Sequence, residues 1–334
     1  MTEAIAVYAG NTIIYWSAII ICLGVLAWFC LSYAVYVPGG GRASAMWFTL
    51  PVACVLSVFF SRFLHWYCHA EQYESLKTAM TDYATGSYCL PGVLLGVVLA
   101  AGLSRLLRFA KNTGELLDAL APGAALGFAF IRLSSLFNSS CRGKMVITDP
   151  AYQRLPLGSG VSSASGTVEY YFAAFFIHFL LLLLLTALLL SFHYRRDRRP
   201  VKSGSVYGHT ALLFLLLYSA TEVVLDSTRY DSSFFRSNGF VSMVQIVSAL
   251  CMLGVLVYYS VHSIRANRLR FYHWLLWLLF LAAAGCAGYL EYLVQRHGEW
   301  YLKCYSAMSG SVLLMALAAY LLYLTVCQRR KKEE

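Results

Sequence analysis

The sequence predicts an all-α polytopic membrane protein with about nine transmembrane helices, and two observations predict it. Of its 334 residues 59% are hydrophobic and only 13% charged, too little polar surface to cover a soluble globule. Nine apolar segments, roughly 12–36, 46–67, 91–110, 117–137, 168–193, 206–227, 238–261, 271–293 and 303–327, have the ~20 helical residues that cross a hydrocarbon core. They are too long and too rich in Leu and Ala to read as strands.

The net charge of +10 is distributed as topology and not as a nucleic-acid surface. With the N-terminus outside, the inner connections hold about twice as many Lys and Arg as the outer ones, in clusters such as Arg105, Arg108 and Lys111 or Arg195 to Arg199. That positive-inside bias predicts an outside N-terminus and a cytoplasmic C-terminus, with the basic clusters facing anionic headgroups. The flank MTEAIAVYAGN carries an acid and no Lys or Arg, so the first segment is expected to stay as a span rather than be cleaved as a signal.

In chain order, the first segment follows a short polar tail and carries Tyr15, Trp16 and Trp28, suited to the two interfaces. Pro38 and the glycines at 39–41 make a tight inner turn. The second segment ends in SRFLHWYCHAEQY, where Arg62, His65 and His69 recur at i, i+3 and i+7 and share one helical face. The two histidines lack the carboxylate of an HExxH zinc site, so a polar face lining a cavity is expected there and no metal. The third segment starts near PGVLLG and leaves the membrane at SRLLRFAKN. Asn112 or Thr113 caps the fourth, with Glu115 in its first turn. The Ser- and Gly-rich stretch 139–167 is a long loop and a candidate outer lid. The fifth segment opens with Glu169, Tyr170 and Tyr171 at the interface, and His178 within it reads as a core residue. In the sixth, Glu222, Asp226 and Arg229 stand at i, i+4 and i+7, close enough for Asp226 and Arg229 to pair. Gln245 and Ser248 share a face of the seventh, and the last two segments are apolar with Trp and Tyr belts.

The ten cysteines form no CxxC or Cys/His cluster. Cys68, Cys89, Cys141 and Cys304 fall near outer ends, where a disulfide can form, but spacing does not give connectivity.

The most informative stretch is PGAALGFAFIRLSSLFN, residues 122–138, with the single cation Arg132. A guanidinium near the bilayer centre costs roughly 2.5–3.5 kcal/mol on insertion scales. It marks an ion pair, a pathway or an anionic ligand, and the anion a membrane offers is a phosphate. The alternative is an arginine one turn from the interface that snorkels to water. Glu222 is a natural partner for Arg132 or Arg62.

These pieces, in order, resemble the prolipoprotein diacylglyceryl transferase family over roughly residues 12–261. PGVLLGVVLA is similar to the family's HGGLLG segment, LLDALAPGAALGFAFIRLSSLFN to its aPalalGraiGRiGNFiN signature, VEYYFAAFF to its QLYEa segment, GHTALLFLLLYSATEVVLDSTRYD to its GqlfalYlllYgiyRFliEffR segment, and SMVQIVSALCM to its mgQilSl segment. The resemblance implies a seven-helix domain over 1–262, with two additional helices and a basic tail over 263–334. It implies transfer of diacylglyceryl from phosphatidylglycerol to the lipobox cysteine of a prolipoprotein signal peptide, in the bacterial cytoplasmic membrane and without a cofactor. Arg132 matches the signature arginine and Asn138 its second asparagine, while Tyr171, Tyr218, Asp226, Arg229, Gln245 and Ser248 fall on other family positions.

Five positions depart from the pattern: Pro91 stands for the family's histidine, Ser134 and Ser135 for its signature glycine and first asparagine, Ser140 for its acid two residues after the second asparagine, and Glu222 for the arginine of its RF pair. The displacement needs fixed cations on the departing phosphate, assigned to Arg132 and Arg229 with help from Arg62. It also needs a proton acceptor for a thiol with a pKa of about 8.5, assigned to His65 or His69. Asn138, Tyr171, Tyr218, Glu222, Asp226 and Gln245 complete the expected substrate-binding set. An alternative function is binding of phospholipid or signal peptide without transfer. A transporter would show related halves, and no such repeat is present.

Overall fold

The computed structural model describes residues 5–9, 12–81, 89–138, 142–162, 167–197, 207–230, 232, 234, 239–265, 271–298 and 301–328. The chain is an all-α polytopic membrane protein: among the described residues eight helices are long and apolar enough to cross a membrane. They are α1 (Trp16–Tyr36), α2 (Ala43–Cys68), α5 (Thr113–Ser134), α6 (Ala174–Asp197), α7 (His209–Ser227), α8 (Met243–Arg265), α9 (Phe271–His297) and α10 (Tyr301–Gln328). Two shorter helices are α3 (Leu76–Thr81) and α4 (Leu90–Leu106). The ninth expected segment, 91–110, is thus a 17-residue helix, at the lower limit for a span. It stops early because Arg108 turns into the left-handed region (φ 65°) and the N–H groups of Phe109 and Ala110 fold back onto the Ser104 carbonyl.

Local chemistry explains the ends. Asn112 caps α5 by accepting from Gly114 N–H at 2.9 Å, with Glu115 in the first turn, as the sequence predicts. The turn after α1 closes through Gly40 at φ +91°. The stretch before α1 is not a polar tail: β1 (Ile5–Ala9) and β2 (Thr12–Tyr15) form an antiparallel hairpin. The signal for it is two short runs rich in Ile, Val and Tyr on either side of Gly10 and Asn11 in the sequence. Cys68, Cys89 and Cys304 are not cross-linked, and Cys141 lies outside the described residues.

The chain divides into two compact units, residues 1–214 with 228–231, and residues 215–227 with 232–334. In the first, α5 packs along α1 and α6, and α2 along α4. α5 is the most buried of the described spans. The α2–α4 contact pairs small residues: Ser57 and Ser61 on α2 face Gly92 and Gly96 on α4. The Ser57 hydroxyl donates to the Val93 carbonyl at 3.0 Å and that of Ser61 to Cys89 at 2.8 Å, so two backbones approach closely and hydroxyls bind across them.

Asp118, only 3% exposed, ties α5 to the start of α7. Its carboxylate accepts from Gly208 N–H at 2.8 Å and Ala211 N–H at 2.9 Å, placing an anion on otherwise unsatisfied donors at a helix N-terminus. Asp118→Ala is expected to cost about 1.5–3 kcal/mol, read as a lowered thermal midpoint in detergent. An unchanged midpoint would show the cap to be dispensable. In the second unit α10 packs on α9 and α8, Trp277 donates to Ser260 at 2.9 Å, and the Tyr305 hydroxyl donates to the Ser227 carbonyl at 3.2 Å.

Candidate functional site

Arg132 occupies the last turn of α5 and is 6% exposed. The protein itself covers the side chain, so it does not escape to bulk water along the interface. The helix end is closed by the backbone, the Arg132 carbonyl accepting from Ser135 N–H. One 3-10 turn later, Asn138 is exposed.

The end of α2 carries the second group. Arg62 is 2% exposed and donates from a terminal guanidinium nitrogen to the Ala79 carbonyl at 2.5 Å. A buried cation thereby satisfies the backbone of α3, a structural task alongside any role with phosphate. His65 and His69 stack with ring centroids 4.5 Å apart, on one face as their spacing predicts. Their hydrogen bonds differ. His69 Nδ1 lies 3.2 Å from the His65 carbonyl oxygen, which can only accept, so the neutral His69 ring carries its proton on Nδ1 and its lone pair on Nε2. His65 Nδ1 lies 3.1 Å from the Tyr73 hydroxyl, a partner that fixes neither tautomer. Tyr73 is the residue here that helical spacing alone does not find.

Described residues of the stretch expected as a long loop take part in a small sheet. β3 (Gly158–Ser162) pairs antiparallel with β4 (Val168–Phe172). Residues 142–147 run beside β4: Gly143 and Ile147 N–H donate to Phe172 and Tyr170 at 3.0 and 2.8 Å, and Val146 bridges Tyr171. Their other edge meets the chain leaving α7, with Gly143 bridged to Arg229 and Lys144 N–H donating to Thr228 at 2.8 Å. Arg229 is thus bridged to Gly143 two residues beyond the end of α7 at Ser227, outside the helix that its spacing to Glu222 and Asp226 assumes. The Tyr171 hydroxyl donates to Glu169 at 2.5 Å, and that bond raises its pKa above the ordinary phenol range.

In the second unit Tyr218 donates to Glu222 Oε1 at 2.5 Å, one turn along α7, with both residues buried. A carboxylate in an apolar helix is costly unless bonded, and this bond meets part of that cost. Asp226, 2% exposed, accepts from the Ser242 hydroxyl at 2.5 Å and from Ser232 through its carbonyl. Ser242 and Gln245 form a capping box at the start of α8: Gln245 N–H donates to Ser242 Oγ at 3.1 Å, and Ser242 N–H to Gln245 Oε1 at 2.9 Å. Gln245 Nε2 then donates to the Val223 carbonyl at 3.0 Å. Its amide holds α7 and α8 together at both ends. Ser248 is buried on the same face of α8.

Among the described residues no three His, Cys, Asp or Glu converge to hold a metal ion. A family model described as prolipoprotein diacylglyceryl transferase matches residues 4–261, covering α1 through most of α8, and α9 and α10 lie beyond it. No curated protein matches the chain.

Proposed function

Since the chain belongs to the prolipoprotein diacylglyceryl transferase family, we propose that it moves diacylglyceryl from phosphatidylglycerol to the lipobox cysteine of a prolipoprotein. The setting is the bacterial cytoplasmic membrane, with the N-terminus outside and the C-terminus cytoplasmic. The thiolate sulfur attacks the glyceryl carbon, the carbon–oxygen bond to phosphate breaks, and glycerol phosphate leaves. The reading is carried by Arg132: a guanidinium at the family's signature position, covered by protein, suits charge developing on a departing phosphate. Arg229 and Arg62 are the further cations, with Arg62 partly engaged by Ala79.

The thiol proton goes to a histidine at the end of α2. His69 is the better base, because its Nδ1 bond leaves the lone pair on Nε2. His65 serves only in the tautomer whose Nδ1–H donates to Tyr73. Asn138 and Tyr171 are the substrate contacts proposed in the first unit. In the second, Tyr218, Glu222, Asp226 and Gln245 are the proposed substrate-binding residues, Tyr218 bonded to Glu222, Asp226 to Ser242 and Gln245 to the Val223 carbonyl. No metal or organic cofactor is required by this chemistry.

The test is complementation of a bacterium depleted of its own transferase. Wild-type chain restores growth and the Arg132→Ala variant, present at equal membrane level, does not. Absence of rescue by the inserted wild type overturns the reading. A second reading, binding of phospholipid or signal peptide without transfer, is favoured by one observation: the position of a family arginine holds Glu222, bonded to Tyr218. Phospholipid retained on purification by a chain that fails to rescue would support it.

A further inference from the structure

Arg142 is fixed from both flanks by the sheet that follows α5. Its carbonyl accepts from Tyr230 N–H at 2.9 Å, and its neighbour Gly143 donates to Phe172 and bridges Arg229. The side chain is fixed as well. The guanidinium carbon stands 4.5 Å from the ring centroid of Tyr171 and 4.9 Å from that of Tyr230, both within the ~6 Å over which a ring face attracts a cation. Tyr171 is tethered in turn by its bond to Glu169, which keeps its hydroxyl protonated. Arg142 is half-buried, and no hydrogen bond or ion pair of its guanidinium occurs among the described residues. Two rings lie against the guanidinium, and among the described residues its fork of N–H donors is unspent.

Such a guanidinium has already given up the rotamer freedom that a bidentate contact would otherwise remove. Its edge matches the oxygens of a phosphate. The location favours a lipid source: β4 ends two residues before α6 begins, and Tyr230 follows the end of α7 by three. Helix ends of that kind lie at headgroup level, and Lys144 and Arg229 on the same strands add positive charge.

We propose that Arg142, clamped between Tyr171 and Tyr230, is an additional anion-binding site that takes the phosphodiester of an anionic phospholipid headgroup. Its ligand class rests on the transferase reading, but its test needs no turnover. Full-length protein in neutral detergent is titrated with short-chain phosphatidylglycerol and with inorganic phosphate, and binding is followed by the shift in thermal midpoint. The titration is run in the wild type and in Arg132→Ala, where the other proposed phosphate contact is removed. In the Arg132→Ala background, Arg142→Gln is expected to weaken lipid binding at least tenfold. Arg142→Lys, which keeps charge but not the fork, should weaken it less, and Tyr230→Leu should also weaken it. Lipid binding unchanged by Arg142→Gln overturns the site. Inorganic phosphate competing at the same concentration as the lipid overturns the headgroup assignment. Complementation by the wild type reports separately on the transferase reading, so the two can fail independently.

Discussion

Arg132→Ala is expected to lower kcat/KM for diacylglyceryl transfer to a lipobox peptide by about 10²–10³-fold, the usual cost of deleting a preorganised group that stabilises transition-state charge. Arg132→Lys should recover little, because an ammonium supplies a point charge without the planar fork. The loss of activity is expected to exceed any loss of membrane level, since the turn that ends α5 is closed by the Arg132 carbonyl, which survives substitution. Activity of Arg132→Ala within tenfold of wild type would remove this residue from the reaction.

A second large effect is expected at the α2–α4 contact. A Cβ placed on Gly96 would lie 2.5 Å from Ser57 N and 2.6 Å from its Cα, and backbone atoms cannot rotate away as a side chain can. Gly96→Ala therefore has to part the helices, at about 1–3 kcal/mol, with the Ser57 and Ser61 bonds lost at ~0.6 kcal/mol each. Gly96→Leu is expected to abolish accumulation of folded protein. Gly102 on the same helix has open space where its Cβ would stand, so Gly102→Ala should be close to neutral. Comparing thermal midpoints of the pair in detergent decides the matter: Gly96→Leu as stable as Gly102→Ala is incompatible with this packing. Parting these helices would also move His65 and His69, which follow Ser61 along α2. Activity should fall more than stability in Gly96→Ala.

Much of the architecture is legible in the sequence because the bilayer imposes a length on each apolar run, and the cap at Asn112 is legible because only a short polar side chain serves there. What hydropathy cannot read is backbone pairing in polar chain. The stretch 139–167 reads as a Ser- and Gly-rich loop, yet its strands find partners in β4 and in residues 228–230, far away in sequence. For that reason Arg229 reads as a residue of the helical face when it lies past the helix end, bridged to Gly143. The capping box was available as the S-x-x-Q pattern of SMVQ, and it gives Gln245 a structural task that family position alone does not suggest. Side-chain spacing places His65 and His69 on one face but cannot separate them; the distinction comes from a carbonyl in one case and a hydroxyl in the other. Arg142 counts only as a charge until the two rings that hold it are seen.

The bond from Asp118 to the start of α7 spans some 90 residues of chain. Synthesis at ~5–20 residues per second means that the acid leaves the ribosome roughly 5–20 s before the amides it caps. During that interval the fourth span enters the bilayer with a carboxylate whose eventual donors do not yet exist. Biogenesis of this chain therefore has a vulnerable interval that the finished protein hides, and variants at Gly208 or Asp118 should reach the membrane at lower levels than their loss of thermal stability alone would give.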